Sequence, residues 1–157
     1  MTNEQKQEFT LRISQANRSE LVVILYEMLD IYLNDAKDDL KNSKDEEFHD
    51  SIRRCMGCVR ELTASINPES KVSGELLSLN VFAMRELASA DRHHSQKELD
   101  EVGRIMHKLK DAVKKSAKLD SSSSIMRNSQ SVYAGLTYGK DSLVVNVNSA
   151  QDRGYIV

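Results

Sequence analysis

Few side chains in this sequence could do chemistry, and their spacing narrows what that chemistry would be. Cys55-Met56-Gly57-Cys58 has the C-x-x-C spacing of a redox pair. Such a pair needs the N-terminus of a helix that follows a strand, where the helix dipole lowers the thiol pKa. Here the motif falls inside a helical pattern with Cys55 on the apolar seam, so both residues are expected to be small buried hydrophobes. Zinc would need two more ligands, and there is no second C-x-x-C. Glu46-x-x-His49 supplies only one of the two E-x-x-H pairs that a di-iron bundle uses. His93-His94 reads as a surface turn. No metal site and no cofactor is expected. The sequence contains no G-x-x-x-x-G-K-[ST], G-x-G-x-x-G or G-x-S-x-G, and no carboxylate pair can be assigned to a cleft. An enzyme is not expected.

His107 has a more specific alternative. Arg104-Ile105-Met106-His107-Lys108-Leu109-Lys110 is faintly similar to the site of histidine phosphotransfer domains. There, in a helical bundle, an exposed His is followed by a Lys that would help neutralise phosphate charge. Asp111 stands where that pattern has Gly, and its charge would repel an incoming phosphoryl group. Phosphotransfer through His107 is kept as the alternative function.

The elements that would position these residues are helical. The chain has 157 residues, one Pro, no Trp and 5% aromatics, with 22 basic and 24 acidic side chains for a net charge of -2. That length suits one domain with a real core. The near-neutral balance gives no electrostatic case for nucleic acid. No apolar run is long enough to insert in a membrane, and the polar start, MTNEQKQE, shows no secretory signal. A cytoplasmic protein is expected. Only Arg127, Lys140, Asp141, Asp152 and Arg153 carry charge beyond Asp120, and Ser121–Ser124 forms a Ser-rich break. The expected organisation is a bundle domain over 1–120, then a linker and C-terminal arm over 121–157. In the arm, Val132–Tyr138 and Leu143–Val147 flank a Gly-containing turn and could form a weak hairpin. Too small to fold alone, the arm is expected to be extended or disordered, or to dock on the bundle.

Four helix starts can be read. Asn17 with Glu20, Ser43 with Glu46 and Ser95 with Glu98 match capping boxes, and Asn67-Pro68 matches an N-cap followed by Pro. Apolar stripes follow: Leu21, Leu25, Met28, Tyr32, Ala36 and Leu40; Phe48, Ile52, Cys55, Val59, Leu62 and Ile66; Val72, Leu76, Leu79, Ala83, Leu87 and Ala90; Leu99, Val102, Met106, Leu109 and Val113. Four stripes with short connections predict an all-α, antiparallel four-helix bundle. The first and third helices carry surplus apolar residues: Ile24 and Ile31 beside Met28, and Leu77, Val81, Met84 and Ala88. They form either a wide buried face or a groove for a partner segment. Phe9, Leu11 and Ile13 alternate ahead of Asn17, as a cap segment stapling the first helix would.

Ala16-Asn17-Arg18-Ser19-Glu20-Leu21, followed by Leu25-Tyr26-Glu27-Met28-Leu29, resembles the start of the first helix in the flagellin-specific export chaperone family, FliS. Ile52–Ile66 with Arg60-Glu61-Leu62 is similar to that family's second helix, and Leu79–Ala90 with Phe82, Arg85 and Leu87 to its third. Leu99-Asp100-Glu101-Val102 and Leu109-Lys110-Asp111-Ala112 match the style of its fourth. Asn80 stands where the family pattern has the first Tyr of its third helix. The resemblance covers about residues 9–117. It implies a cytosolic chaperone that binds the C-terminal segment of flagellin, prevents premature polymerisation and helps bring it to the flagellar export apparatus. The surplus apolar residues then give the expected flagellin contacts: Ile24, Met28, Ile31, Leu77, Val81, Met84 and Ala88. The segment with Phe9, Leu11 and Ile13 would cover part of the groove until displaced, and Leu143–Val147 could shield the same groove. Oligomeric state stays open, a homodimer included.

Overall fold

The structure is a computed structural model and describes residues 1–125. The expected arm beyond residue 125, hairpin included, lies outside the described residues. The described chain forms five helices and no strand: α1 Asn3–Gln15, α2 Arg18–Lys41, α3 Asp45–Ala64, α4 Ser73–His93 and α5 Gln96–Ala117. Helices α2 to α5 are the expected bundle. Around its ring, α2 packs on α3 and α5, α4 packs on α3 and α5, and α2 and α4 lie across the diagonal.

The expected N-terminal cap segment is a fifth helix. Thr2 and Gln5 close a capping box, each side chain accepting from the other's backbone N–H at 3.2 and 2.8 Å. The apparent alternation of Phe9, Leu11 and Ile13 hid this helix, because helical spacing joins Phe9 to Ile13 and leaves Leu11 to one side.

The other starts differ in instructive ways. Asn17 and Glu20 do form the expected box, at 2.9 and 2.8 Å. Ser43 does not cap α3, because α2 uses it to stop. Ser43 adopts φ 53°, its N–H donates to Leu40 O, and the next N–H, of Lys44, donates to Asp39 O. This is a Schellman closure, and it leaves Lys44 as the N-cap of α3 without a side-chain cap. Asn67-Pro68 starts only a turn: Asn67 Oδ1 accepts from the Glu69 N–H, Ser70 N–H donates to Asn67 O, and α4 begins later, at Ser73. Ser95 is the N-cap of α5, but its hydroxyl goes to the Glu98 carboxylate and not to a backbone group.

The core is uneven along the bundle axis. Leu33, Ala36, Phe48, Ile52, Cys55, Leu87, Ala90, Leu99, Val102 and Met106 are buried where α2 and α4 end and α3 and α5 begin. At the opposite end the stripes come loose. Leu25, Leu76, Leu79, Leu109 and Val113 are only half-buried, and Val72 is 52% exposed. The third-helix stripe therefore holds as core from Ala83 to Ala90 only. The buried face of α2 is also turned from the expected stripe, to Tyr26, Leu29, Leu33 and Ala36. The reason is that α2 has three neighbours, α3, α5 and α1, so it buries parts of two stripes.

Ion pairs tie α2 to α5 in antiparallel order. Glu27 meets Lys114 at 2.8 Å, Asp30 meets Lys110, and Lys37 meets Asp100 at 2.7 Å.

Candidate functional site

The chemistry-bearing residues are structural. Cys55 and Cys58 are both buried in α3. Burial pushes both thiols up, Cys58 to about 11, so at neutral pH they stay protonated and poor as nucleophiles. His93 ends α4 and His94 follows it as the left-handed cap. His94 stacks on Phe48 at 5.2 Å, and His49 Nδ1 meets Asp91 Oδ1 at 2.7 Å. His107 is exposed between two carboxylates, Asp30 at 3.9 Å and Asp111 at 3.8 Å. Their charge opposes an approaching phosphoryl group, and nothing in this setting supports phosphotransfer.

What remains is apolar surface, and it forms two separate places. The first lies on α2 under α1. Phe9, Ala16 and Ile24 are buried together, with Ile13, Leu21, Met28 and Ile31 packed around them. Ile24, Met28 and Ile31 are thus brought together with Phe9 and Ile13, while Leu11 is half-buried outside the cluster. The seat is small for a helix of 13 residues. Polar contacts hold its ends. Glu27 receives Arg12 from α1 at 2.5 Å and Lys114 from α5 at 2.8 Å. Burial alone would raise the Glu27 pKa, but bonds to Lys114 and Arg12 outweigh it and hold the group below its usual value.

The sign of that shift gives a prediction. A depressed carboxylate contributes stability that is present above its unfolded value and lost as pH falls through the lower folded value. Acidification below the usual Glu range should therefore loosen α1 before the bundle. NMR shifts of α1 amides should move towards coil positions in acid, with Glu27→Gln showing the same change already at neutral pH. Identical α1 shifts in Glu27→Gln and wild type at pH 7 would rule the clamp out.

Behind α1 the chain returns as a strap. The Asn17 amide donates to the carbonyls of Asp120 and Ser122, both at 3.4 Å, and the Ser19 hydroxyl donates to Asp120 at 2.5 Å. The Ser19 hydroxyl, with the Ser122 N–H, holds the Asp120 carboxyl below its usual range. Ser124 donates to Ser14 O at 3.4 Å, and the Ile125 N–H donates to Ala16 O at 3.1 Å. Between α1, α2 and α5 lies a cleft of about 810 Å³ lined by Ala16, Val23 and Ile24 and edged by Lys114, Lys115 and Lys118. This cleft escaped the sequence reading, since it depends on α1 being a helix.

The second place is open. Between α3 and α4 a groove of about 420 Å³ is lined by Val81, Met84 and Ala88, with Arg60, Thr63, Asn80 and Arg85. Leu77 and Val81 are 47% and 52% exposed. Met84 is half-buried and packs on the core. Leu76, Leu79 and Phe82, on other sides of α4, are half-buried and join neither buried cluster. The sequence stripe had placed Leu76 and Leu79 in the core. Their exposure could not be read from periodicity, which sees a wide apolar helix but not where its neighbours diverge. The seven candidate contacts therefore do not converge: Ile24, Met28 and Ile31 lie on α2, and Leu77, Val81, Met84 and Ala88 on α4 across the bundle.

No described helix is long and apolar enough to cross a membrane. No curated protein sequence matches the chain. The family model for the flagellar protein FliS matches residues 1–120, which span α1 to α5, and the chain belongs to this family of flagellar export chaperones.

Proposed function

We propose that the chain binds the C-terminal segment of flagellin in the cytoplasm, keeps it from polymerising early, and hands it to the flagellar export apparatus. The observation that carries this is the half-exposed apolar face of α4 at the loose end of the bundle. Leu77 and Val81, one turn apart on α4, are about half exposed, and Val81 joins Met84 and Ala88 in the groove. A helix-in-groove ligand uses such a face, and Met84 suits it because its thioether chain repacks readily. Ile24, Met28 and Ile31 form a second seat on α2, occupied by Phe9 and Ile13 of α1. A ligand using both seats has to wrap the bundle, since α2 and α4 are diagonal. α1 then acts as a cover that the ligand displaces. Ordering the flagellin segment costs part of what apolar burial contributes.

Isothermal titration with a peptide of the flagellin C-terminal segment tests the reading. Saturable one-to-one binding is expected with a negative heat-capacity change, the mark of apolar burial. No heat and no binding would remove it. Deletion of 121–157 should tighten that binding, because it frees the α1–α2 junction from the strap and makes α1 easier to displace. Unchanged affinity would show that the strap and arm take no part.

A further inference from the structure

We propose that Asn80 makes the α3–α4 groove selective for a ligand helix that carries a side-chain hydrogen-bond donor between carboxylates. This rests on the groove being a flagellin seat and adds which kind of flagellin stretch fits it. Asn80 is 3% exposed and on the inward side of α4. Its Nδ2 donates to Thr63 Oγ1 at 3.0 Å. Thr63 has already given its own proton to Val59 O, at 2.8 Å. Thr63 can therefore only accept here, and this fixes the amide with Oδ1 turned away. That oxygen is buried and has no hydrogen-bond partner among the described residues. Buried acceptors are nearly always paired, so an orphan points to a role.

The surroundings say what could pair with it. Val81, Met84 and Ala88 line the same groove, and Arg60 and Arg85 stand on it as well. Arg60 and Arg85 are exposed and enter no ion pair among the described residues. The groove thus offers an apolar floor, one buried acceptor and two uncommitted guanidinium groups. A docked helix has spent its interior backbone N–H groups on itself, so the donor must be a side chain, such as Asn, Gln, Ser, Thr or Tyr. Asp or Glu beside it would meet Arg60 and Arg85. The acceptor is closed off in the free protein, so a donor reaches it only when the groove lining shifts, and Met84 is the most flexible apolar side chain in that lining.

Titration of the full chain with the flagellin C-terminal peptide tests this. Asn80→Leu should weaken binding about tenfold, the scale of one lost buried hydrogen bond, while Tm holds or rises. Asn80→Ala serves the same purpose if leucine overfills the site. Arg60→Gln with Arg85→Gln should weaken binding further and remove its salt dependence. If Val81→Asp abolishes binding but both Asn80 variants bind like wild type, the groove remains a flagellin seat and the selectivity is overturned. If Val81→Asp itself binds like wild type, the groove is no seat and both readings fall. A concentration-dependent dimer that Val81→Asp dissociates would give the groove to a second copy and overturn the proposal.

Discussion

Aspartate at both Leu77 and Val81 should cut flagellin binding at least about a hundredfold and leave the helices intact. Full burial of a Leu or Val side chain is worth about 1.5–3 kcal/mol. Both residues are about half exposed in the free chain, so docking can still bury about half of that at each. A carboxylate in a closed groove adds a desolvation cost of its own. Together the two sites approach about 3 kcal/mol, or roughly a hundredfold in Kd. Stability should change little, because surface substitutions away from packed contacts usually stay within about 0.5 kcal/mol. Met84→Asp is a poorer test, since Met84 also packs on the core and its loss mixes binding with folding. Titration gives the affinity and circular dichroism the helicity. Wild-type affinity in a folded double variant would take flagellin off α4.

The two ends of the bundle should also separate in stability. Leu87→Ala removes a fully buried side chain from the tight end and should cost about 2–5 kcal/mol. Leu79 occupies the same sequence stripe two turns earlier but is half-buried and joins neither cluster. Leu79→Ala should cost less than Leu87→Ala, because part of the Leu79 side chain is in water before the change. Urea unfolding of both variants, with equal m-values, measures the difference. Equal losses would mean that the α4 end is packed as tightly as the Leu87 end, and the case for an open apolar face would go with it.

That pair of leucines also marks how far the sequence could be read. Periodicity named both as core, and it was right about the helix and its inward face. It could not report that Leu79 keeps part of its surface in water, since that cover depends on side chains of other elements. The same limit applies to Ser43. Its spacing to Glu46 matches a capping box, but the residue is used first to close α2, and one residue cannot serve both ends. α1 was missed for another reason. Its sequence is mostly polar and its few apolar residues fit alternation as well as a helix, so only its packing on Ile24 distinguishes the two. The bundle itself was legible because α3 carries an unbroken buried stripe from Phe48 to Leu62, and because Asn17 and Glu20 close their box as written. The surplus apolar residues were legible as a group, but their division between α2 and α4 was not. That division follows from ring order, which no single-helix pattern contains.

The ion pairs along α2 and α5 carry a consequence for how this chain avoids its mirror alternatives. On α2 the signs run acid, acid, base at Glu27, Asp30 and Lys37; on α5 the partners run base, base, acid at Lys114, Lys110 and Asp100. Apolar stripes alone are indifferent to direction, since leucine packs on leucine whichever way a helix points. Reversing α5 in place would set Lys114 beside Lys37 and Asp100 beside Glu27. Like charges would then face each other at both ends of the pairing. Each pair alone adds little to stability at an exposed surface. Their combined value is that they discriminate: they penalise the wrong orientation of a helix whose greasy face would accept it.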